Sequence, residues 1–134
     1  MDRCAEIKAK FYAADKFPLS MGMELIDLQP GYSVVEMQVG EEMVNFHQIA
    51  HGGVVFSLAD TAFGLASNTK GEAVALQVSV NYLAPARPGE ILRATATETK
   101  ITRSTGLYDI SVTNANGDVI ALMRGTVYRR QQRD

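Results

Sequence analysis

Between Gly52 and Thr69 the sequence carries one full charge, Asp60, in a run otherwise built of apolar, small and uncharged polar residues. A surface helix normally shows Lys or Glu on its outer face, so a long segment without them is expected to be covered on all sides. A lone carboxylate there calls for a reason, because such groups are rarely buried without one. The segment opens on Gly52-Gly53, and the first N–H groups of a helix have no intrahelical partner and can hold negative charge. Donors for an anion and a group able to attack or to take a proton would then share one helix. At about 100° per residue, Val55, Leu58, Ala59, Ala62, Leu65 and Ala66 fall on one face, a core stripe. Opposite them fall Gly53, Ser57, Asp60 and Gly64, with Phe56 and Ser67 at the margin. That second face is small rather than hydrophilic, which suits close approach by a ligand, another backbone or a second subunit.

Other reactive residues make weaker patterns. His47 and His51 have the i, i+4 spacing of a zinc pair, but Gln48 stands where His-Glu-x-x-His needs Glu and no further ligands are evident, so no metal is expected. His51 is instead expected to orient the turn before the helix by hydrogen bonding. Cys4 lies in an outer helix without a partner that would activate it, and there is no Gly-x-Ser-x-Gly elbow. Taken alone, Asn45 reads as a turn or cap residue, and Asp60 as a structural carboxylate paired with an Arg; position relative to the helix is what makes either a site candidate.

The elements that must hold these groups follow from periodicity. Residues 4–15 place Ile7, Phe11 and Ala14 on one side of a short amphipathic helix expected to pack on the outside. Residues 23–28 and 32–39 read as strands joined at Pro30-Gly31, a hairpin. The central helix runs from Gly52 and stops near Gly71. Over residues 74–82 the even positions Val74, Leu76, Val78, Val80 and Tyr82 are apolar, which predicts a strand with one buried face. Further strands are expected at 91–101, 107–113 and, after the hairpin signal Asn116-Gly117, from 119 to 127. One long apolar helix with five to six strands joined mostly by hairpins is an α+β arrangement in which a curved antiparallel sheet wraps one helix face.

Length and composition fit a single domain over residues 1–134, with 46% hydrophobic residues to build a core. A net charge of −2 favours neither nucleic acid nor an anionic membrane. The single Cys4 fits a reducing compartment, and charges occupy the N-terminal residues where a signal peptide needs an apolar run. A cytoplasmic protein is expected, with a frayed polar tail over residues 129–134.

The pattern Asn45-x5-His51-Gly52-Gly53-x6-Asp60, continued by Thr61-Ala62-Phe63 and Asn68, resembles the hot-dog-fold acyl-CoA thioesterases, in particular the PaaI type linked to phenylacetate degradation. The resemblance extends through Asn81-Tyr82-Leu83-x-Pro85, Gly106-Leu107-Tyr108-Asp109-Ile110 and Ala121-Leu122-x-Arg124-Gly125. It implies a long helix wrapped by the sheet, a homodimer with two shared sites, assembly into a tetramer, and acyl-CoA as substrate with no cofactor. It makes Asp60 the catalytic carboxylate, acting on the thioester carbonyl or on water, and Gly52 or Gly53 the N–H donor to the carbonyl oxygen. It places Asn45 in the same subunit as that glycine, with Asp60 from the other. Some relatives hold water with a Ser on the strand after the helix; Ala75 stands there, leaving Thr61 as the substitute.

Thioester hydrolysis needs only a donor for the oxygen that becomes negative and a carboxylate, without a metal. Phe56 and Phe63, seven apart, either line an aryl pocket or pack an interface. Arg87, Arg103 and Arg124 either meet the phosphates of coenzyme A or are solvated surface charges. The expected reaction is hydrolysis of an aromatic acyl-CoA such as phenylacetyl-CoA or hydroxyphenylacetyl-CoA. The alternatives are a hot-dog hydratase or dehydratase, which would carry a His–Asp or His–Glu pair, and a non-catalytic acyl-CoA-binding protein.

Overall fold

A computed structural model describes residues 2–130. Asp2 accepts from the N–H of Ala5 (2.8 Å) and so caps α1 (Arg3–Ala14), which a one-residue break separates from the short α2 (Lys16–Ser20). The hairpin of β1 (Glu24–Gln29) and β2 (Tyr32–Gln38) turns at Gly31, whose φ of +72° suits glycine. A single 3₁₀ turn (Glu41–Met43) and a tight loop lead into α3 (Gly52–Ser67). The rest is strand: β3 (Ala73–Tyr82), β4 (Ile91–Ile101), β5 (Thr105–Thr113) and β6 (Val119–Arg129). All six strands form one antiparallel sheet in the order β1-β2-β4-β5-β6-β3, which leaves β1 and β3 at its edges.

Alternation in the middle strands makes the helix bed. Leu92, Ala94 and Ala96 of β4, Tyr108, Ile110 and Val112 of β5, and Met123 and Val127 of β6 are buried. They meet Val55, Leu58, Ala59, Ala62, Phe63, Leu65 and Ala66 of α3 in one continuous core. Each buried Leu or Phe there contributes roughly 1.5–3 kcal/mol relative to exposure. Gly125 is required for that packing, because a Cβ on it would stand 2.5 Å from the Phe63 ring. Polar bonds pin the helix in place. Ser33 donates to the Ala62 carbonyl (2.6 Å), and Thr69 donates to Ala66 (2.7 Å) while accepting from Gly31 N–H (2.7 Å). The Asn68 amide closes the C-terminal end, donating to Gly64 O (2.9 Å) and accepting from Ala73 N–H (3.0 Å). The helix therefore stops at Ser67, and Gly71, with φ +122°, serves the entry to β3.

Two expectations are corrected. The strand over 74–82 does not bury its even positions along its length: a bulge between Ala75 and Gln77 inserts Leu76 as an extra residue and reverses which parity points inward. Val78 and Val80 beyond the bulge pack on the core, whereas Val74 before it and Leu76 within it are exposed, Leu76 by 61%. The first two residues of the expected polar tail are also not frayed. Arg129 belongs to β6 and donates to the carbonyls of Thr102 (2.6 Å) and Lys70 (3.1 Å), and Arg130 N–H donates to Glu72 O (2.9 Å). Residues 131–134 lie outside the described residues. Among those described, no helix is long and apolar enough to cross a membrane.

Candidate active site

The loop over residues 44–51 is built to deliver the chain to the start of α3. Val44 and Ala50 form a bridge, Asn45 N–H donates to Ile49 O (2.8 Å), and Gln48 N–H donates to Asn45 O (3.0 Å) with Gln48 at φ +66°. The Asn45 side-chain oxygen accepts from His47 N–H (2.8 Å), an Asx turn. That leaves its amide nitrogen without a partner among the described residues. His51 orients the helix start through its backbone: its N–H donates to Met43 O (2.9 Å) and its carbonyl accepts from Val54 and Val55. No hydrogen bond of its imidazole is present among the described residues, so the turn is held by the main chain and not by the ring.

At the helix start, the N–H groups of Gly52 and Gly53 have no acceptor among the described residues, as the first turn of a helix requires. Gly53 is open on its side-chain face, whereas a Cβ on Gly52 would lie 3.2 Å from the Tyr82 ring, so the end of β3 leans on this turn. Sequence reasoning placed Tyr82 on the inward parity of its strand but missed its contact with Gly52, because that contact joins residues thirty apart in sequence. Arg87 is at this same end of the helix, since the carbonyl of the adjacent Ala86 accepts from Ala50 N–H (2.8 Å). Arg103 is at the other end: its hairpin is tied through Thr102 to Arg129, which also binds Lys70. Arg124 is engaged by Asp109 through two bonds of 2.8 and 3.1 Å.

Asp60 sits midway along α3 on the exposed small face with Gly53 and Gly64. It makes no hydrogen bond or ion pair among the described residues. The side chain is accessible, yet the surrounding walls withdraw enough water for burial to push its carboxyl above the ordinary carboxylate value. Those walls enclose an open cavity of about 620 Å³ between α3 and the N-terminal helices. Thr61 lines it beside Asp60, with its hydroxyl proton committed to Ser57 O (2.8 Å) and its oxygen accepting from no donor among the described residues. Phe56 is half-buried against the core. Phe63 is 1% exposed and packs on Tyr108 and Gly125 of its own protomer, so it lines no open pocket. Ala75 is exposed at the bulge on the edge strand. No cluster of three His, Cys, Asp or Glu side chains able to hold a metal occurs among the described residues.

A free carboxylate on a helix whose N-terminal donors are also free is equipment for carbonyl chemistry, and the residues around it match a known family. The model of the thioesterase superfamily matches residues 47–121, more than half of the chain. The chain belongs to the thioesterase superfamily. It is a thioester hydrolase with the hot-dog fold. Acyl-coenzyme A thioesterase PaaI of Escherichia coli is 40% identical over 119 residues, covering 88% of this chain and 85% of that protein. A putative esterase of Archaeoglobus fulgidus is 41% identical over 124 residues, 92% of this chain and 80% of its own. The solved structure of the E. coli PaaI protein from the phenylacetic acid degradation operon superposes with a TM-score of 0.93 at 37% identity, covering 96% of this chain and 94% of that one. The matched region of the thioesterase includes the whole of α3, the element that carries Asp60 and the Gly52-Gly53 turn.

Proposed function

We propose that this thioesterase hydrolyses the thioester of an aromatic acyl-CoA, of the phenylacetyl or hydroxyphenylacetyl type, to the free acid and coenzyme A, in a homo-oligomer whose sites are shared between subunits. The observation that carries the reading is the separation of the two free groups on α3. Asp60 stands eight residues beyond Gly52, about 12 Å along the axis at 1.5 Å per residue, whereas donor and nucleophile must both come within roughly 3 Å of one carbonyl group. A single protomer does not bring them together, but a second copy running the other way beside the small face does. The edge strand β3, with Val74, Leu76 and Tyr82 exposed and Leu83 just beyond its end also exposed, offers unpaired backbone and apolar surface for such a copy.

In this arrangement Gly52, with Gly53 beside it, donates to the thioester oxygen as it becomes negative. Asp60 of the facing subunit either attacks the carbonyl carbon, forming an anhydride that water then hydrolyses to the free acid, or takes a proton from water that attacks it; in both cases the thiolate of coenzyme A leaves and is protonated. Asn45, with its carbonyl oxygen held by the turn, presents the amide N–H₂ to substrate or water. Arg87, at the helix start, is positioned for a phosphate of coenzyme A; Arg103, at the far end of the helix, could reach one only from another subunit. The relatives' names support the substrate class, through PaaI of E. coli, and through a Streptococcus mutans protein of 30% identity and TM-score 0.79 solved with acetyl-CoA bound.

Thiol release from phenylacetyl-CoA, benzoyl-CoA and medium-chain acyl-CoAs tests the activity. Release fastest from an arylacetyl thioester supports the reading, and no release from any of them ends it. Co-refolding Asp60→Asn chains with Gly52→Pro chains tests the shared site. Each mixed dimer would then contain one site with both native groups, so activity returns on mixing two inactive variants. No recovery in a mixture that forms mixed oligomers would place both groups in one subunit.

A further inference from the structure

Among the described residues, apolar surface that the proposed function leaves unused includes the wall of the cavity over Asp60, the exposed outer face of the sheet around Leu122 and Tyr128, and Phe46 in the loop before α3. Only the first contains a group that the chemistry uses. Its apolar wall is made by Ile7, Phe11, Ala14, Phe17, Pro18 and Leu65. Five of these come from the N-terminal helices, which approach α3 on the side where it carries Asp60, Thr61 and Gly64. Phe17 is 61% exposed although it is aromatic and flanks a cavity, a combination that leaves its ring available to a ligand. A Cβ on Gly64 would meet nothing within 4 Å, so the helix face next to Asp60 is hollow by composition.

We infer that this cavity is the acyl pocket, and that Phe17 and Gly64 of the same protomer as Asp60 set which acyl group fits. The inference rests on the thioesterase reading and adds to it where the acyl group goes. The charge at the cavity decides which half of the substrate it takes. Asp15, Asp60 and Glu72 line it, against Arg3 and Lys10; Glu72 is paired with Arg130 (3.6 Å), and Arg3 donates to Asn68 O (2.6 Å). Phosphates of coenzyme A would meet no excess of positive charge there, whereas an uncharged aryl or alkyl group meets an apolar wall. The volume of about 620 Å³ lies within the roughly 300–1,000 Å³ of small-molecule sites, with space for a ring beyond the reacting carbonyl. The ring would lie against Phe17, an aromatic pair at the favoured edge or offset geometry. N-terminal residues in sequence thereby select the substrate of a site whose chemistry is on α3.

The test is the ratio of kcat/KM for phenylacetyl-CoA to that for acetyl-CoA. Gly64→Leu fills the hollow and is expected to lower this ratio about tenfold or more, the scale set by misfit of a few methylenes in an apolar pocket. Phe17→Ala widens the mouth and is expected to lower the ratio for phenylacetyl-CoA while raising kcat/KM for octanoyl-CoA relative to it. Circular dichroism and gel filtration report whether each variant keeps its fold and assembly. A folded, correctly assembled Phe17→Ala chain whose preferences match the parent overturns the inference. Titration calorimetry separates this from a failure of the enzyme reading, using the non-hydrolysable thioether S-phenethyl-coenzyme A and free coenzyme A. If the parent binds the thioether more tightly than coenzyme A, and Phe17→Ala and Gly64→Leu erase that difference, the pocket stands even for a chain without turnover. If the parent binds both equally, the cavity does not take the acyl group.

Discussion

Two aspartates on opposite layers of the molecule have opposite surroundings. Asp109, on the outer face of the sheet, accepts two bonds from Arg124 and one from Thr99, and these hold its carboxyl below the ordinary value. Asp60, on the small face of α3, has no such partner, and burial pushes its carboxyl up. The pairing of Asp109 also answers what Arg124 is for: its guanidinium is committed to the sheet. The contrast shows why burial or charge alone does not mark a site. A carboxylate whose hydrogen-bonding capacity is met is part of the framework, and one left unmet beside a cavity is available for chemistry.

The contrast is sharpened most by removing the groups that face the carbonyl. Gly52→Pro deletes one donor while respecting the helix, because proline is favoured at the first helical position and His51 already has the extended ψ of 142° that precedes a proline. A drop of about 10²–10³ in kcat, roughly 2.7–4 kcal/mol, is expected, with Gly52→Ala as the control that keeps the N–H beside the same Tyr82 contact. Thiol-release kinetics on both variants decides it, and equal losses would assign the effect to crowding of Tyr82.

Asp60→Asn is expected to lose at least about a hundredfold in turnover while gaining stability. The sign follows from the direction of the shift: a carboxyl raised in the native state penalises folding once it ionises. The amide should therefore raise Tm at pH values above the raised pKa, an advantage that disappears below the unfolded value of about 3.9. Differential scanning fluorimetry across pH reads this. The same shift places the acid limb of kcat/KM above the ordinary Asp range, and Asp60→Asn removes that limb.

Asn45→Asp separates the two ends of one side chain. The turn acceptor to His47 N–H survives and the amide donor is lost, so kcat should fall about tenfold or more, as for a lost polar contact to the reacting groups, with Tm little changed. A fall in Tm with kcat preserved would make Asn45 a turn residue. The smallest effect belongs to Asp109→Asn, which should leave turnover unchanged and lower Tm slightly. Because the Asp109 carboxyl is lowered in the native state, that loss appears at neutral pH and fades as pH falls through the native value. A large effect of Asp109→Asn on kcat would erase the distinction between the two aspartates.

Much of the fold was legible because its signals are local. The apolar stripe of α3, the Pro30-Gly31 and Asn116-Gly117 turns and the extended runs at 91–101 and 107–113 each depend on residues near in sequence, and each element stands where those signals put it. The face of β3 was misread because its bulge lies between Ala75 and Gln77, where nothing but pairing with β6 demands it. Phe63 was misplaced for a related reason: it looks toward a cavity only until Gly125, over sixty residues away, opens a hole in the sheet to receive it. The position of the N-terminal helices beside Asp60 was not legible, since Phe17 and Asp60 share a cavity across forty-three residues of sequence.

The sequence by itself determined the long uncharged helix, its single carboxylate, the Gly-Gly start and the family to which these belong, because composition and short-range spacing encode them. Tertiary structure decided what is free and what is engaged. It tied the Asn45 oxygen into a turn and left its amide open, committed Arg124 to Asp109, sent Arg87 and Arg103 to opposite ends of α3, and brought the N-terminal helices over Asp60. Those outcomes depend on which long-range partners pack together, and the pattern of residue types along one chain does not specify the partners.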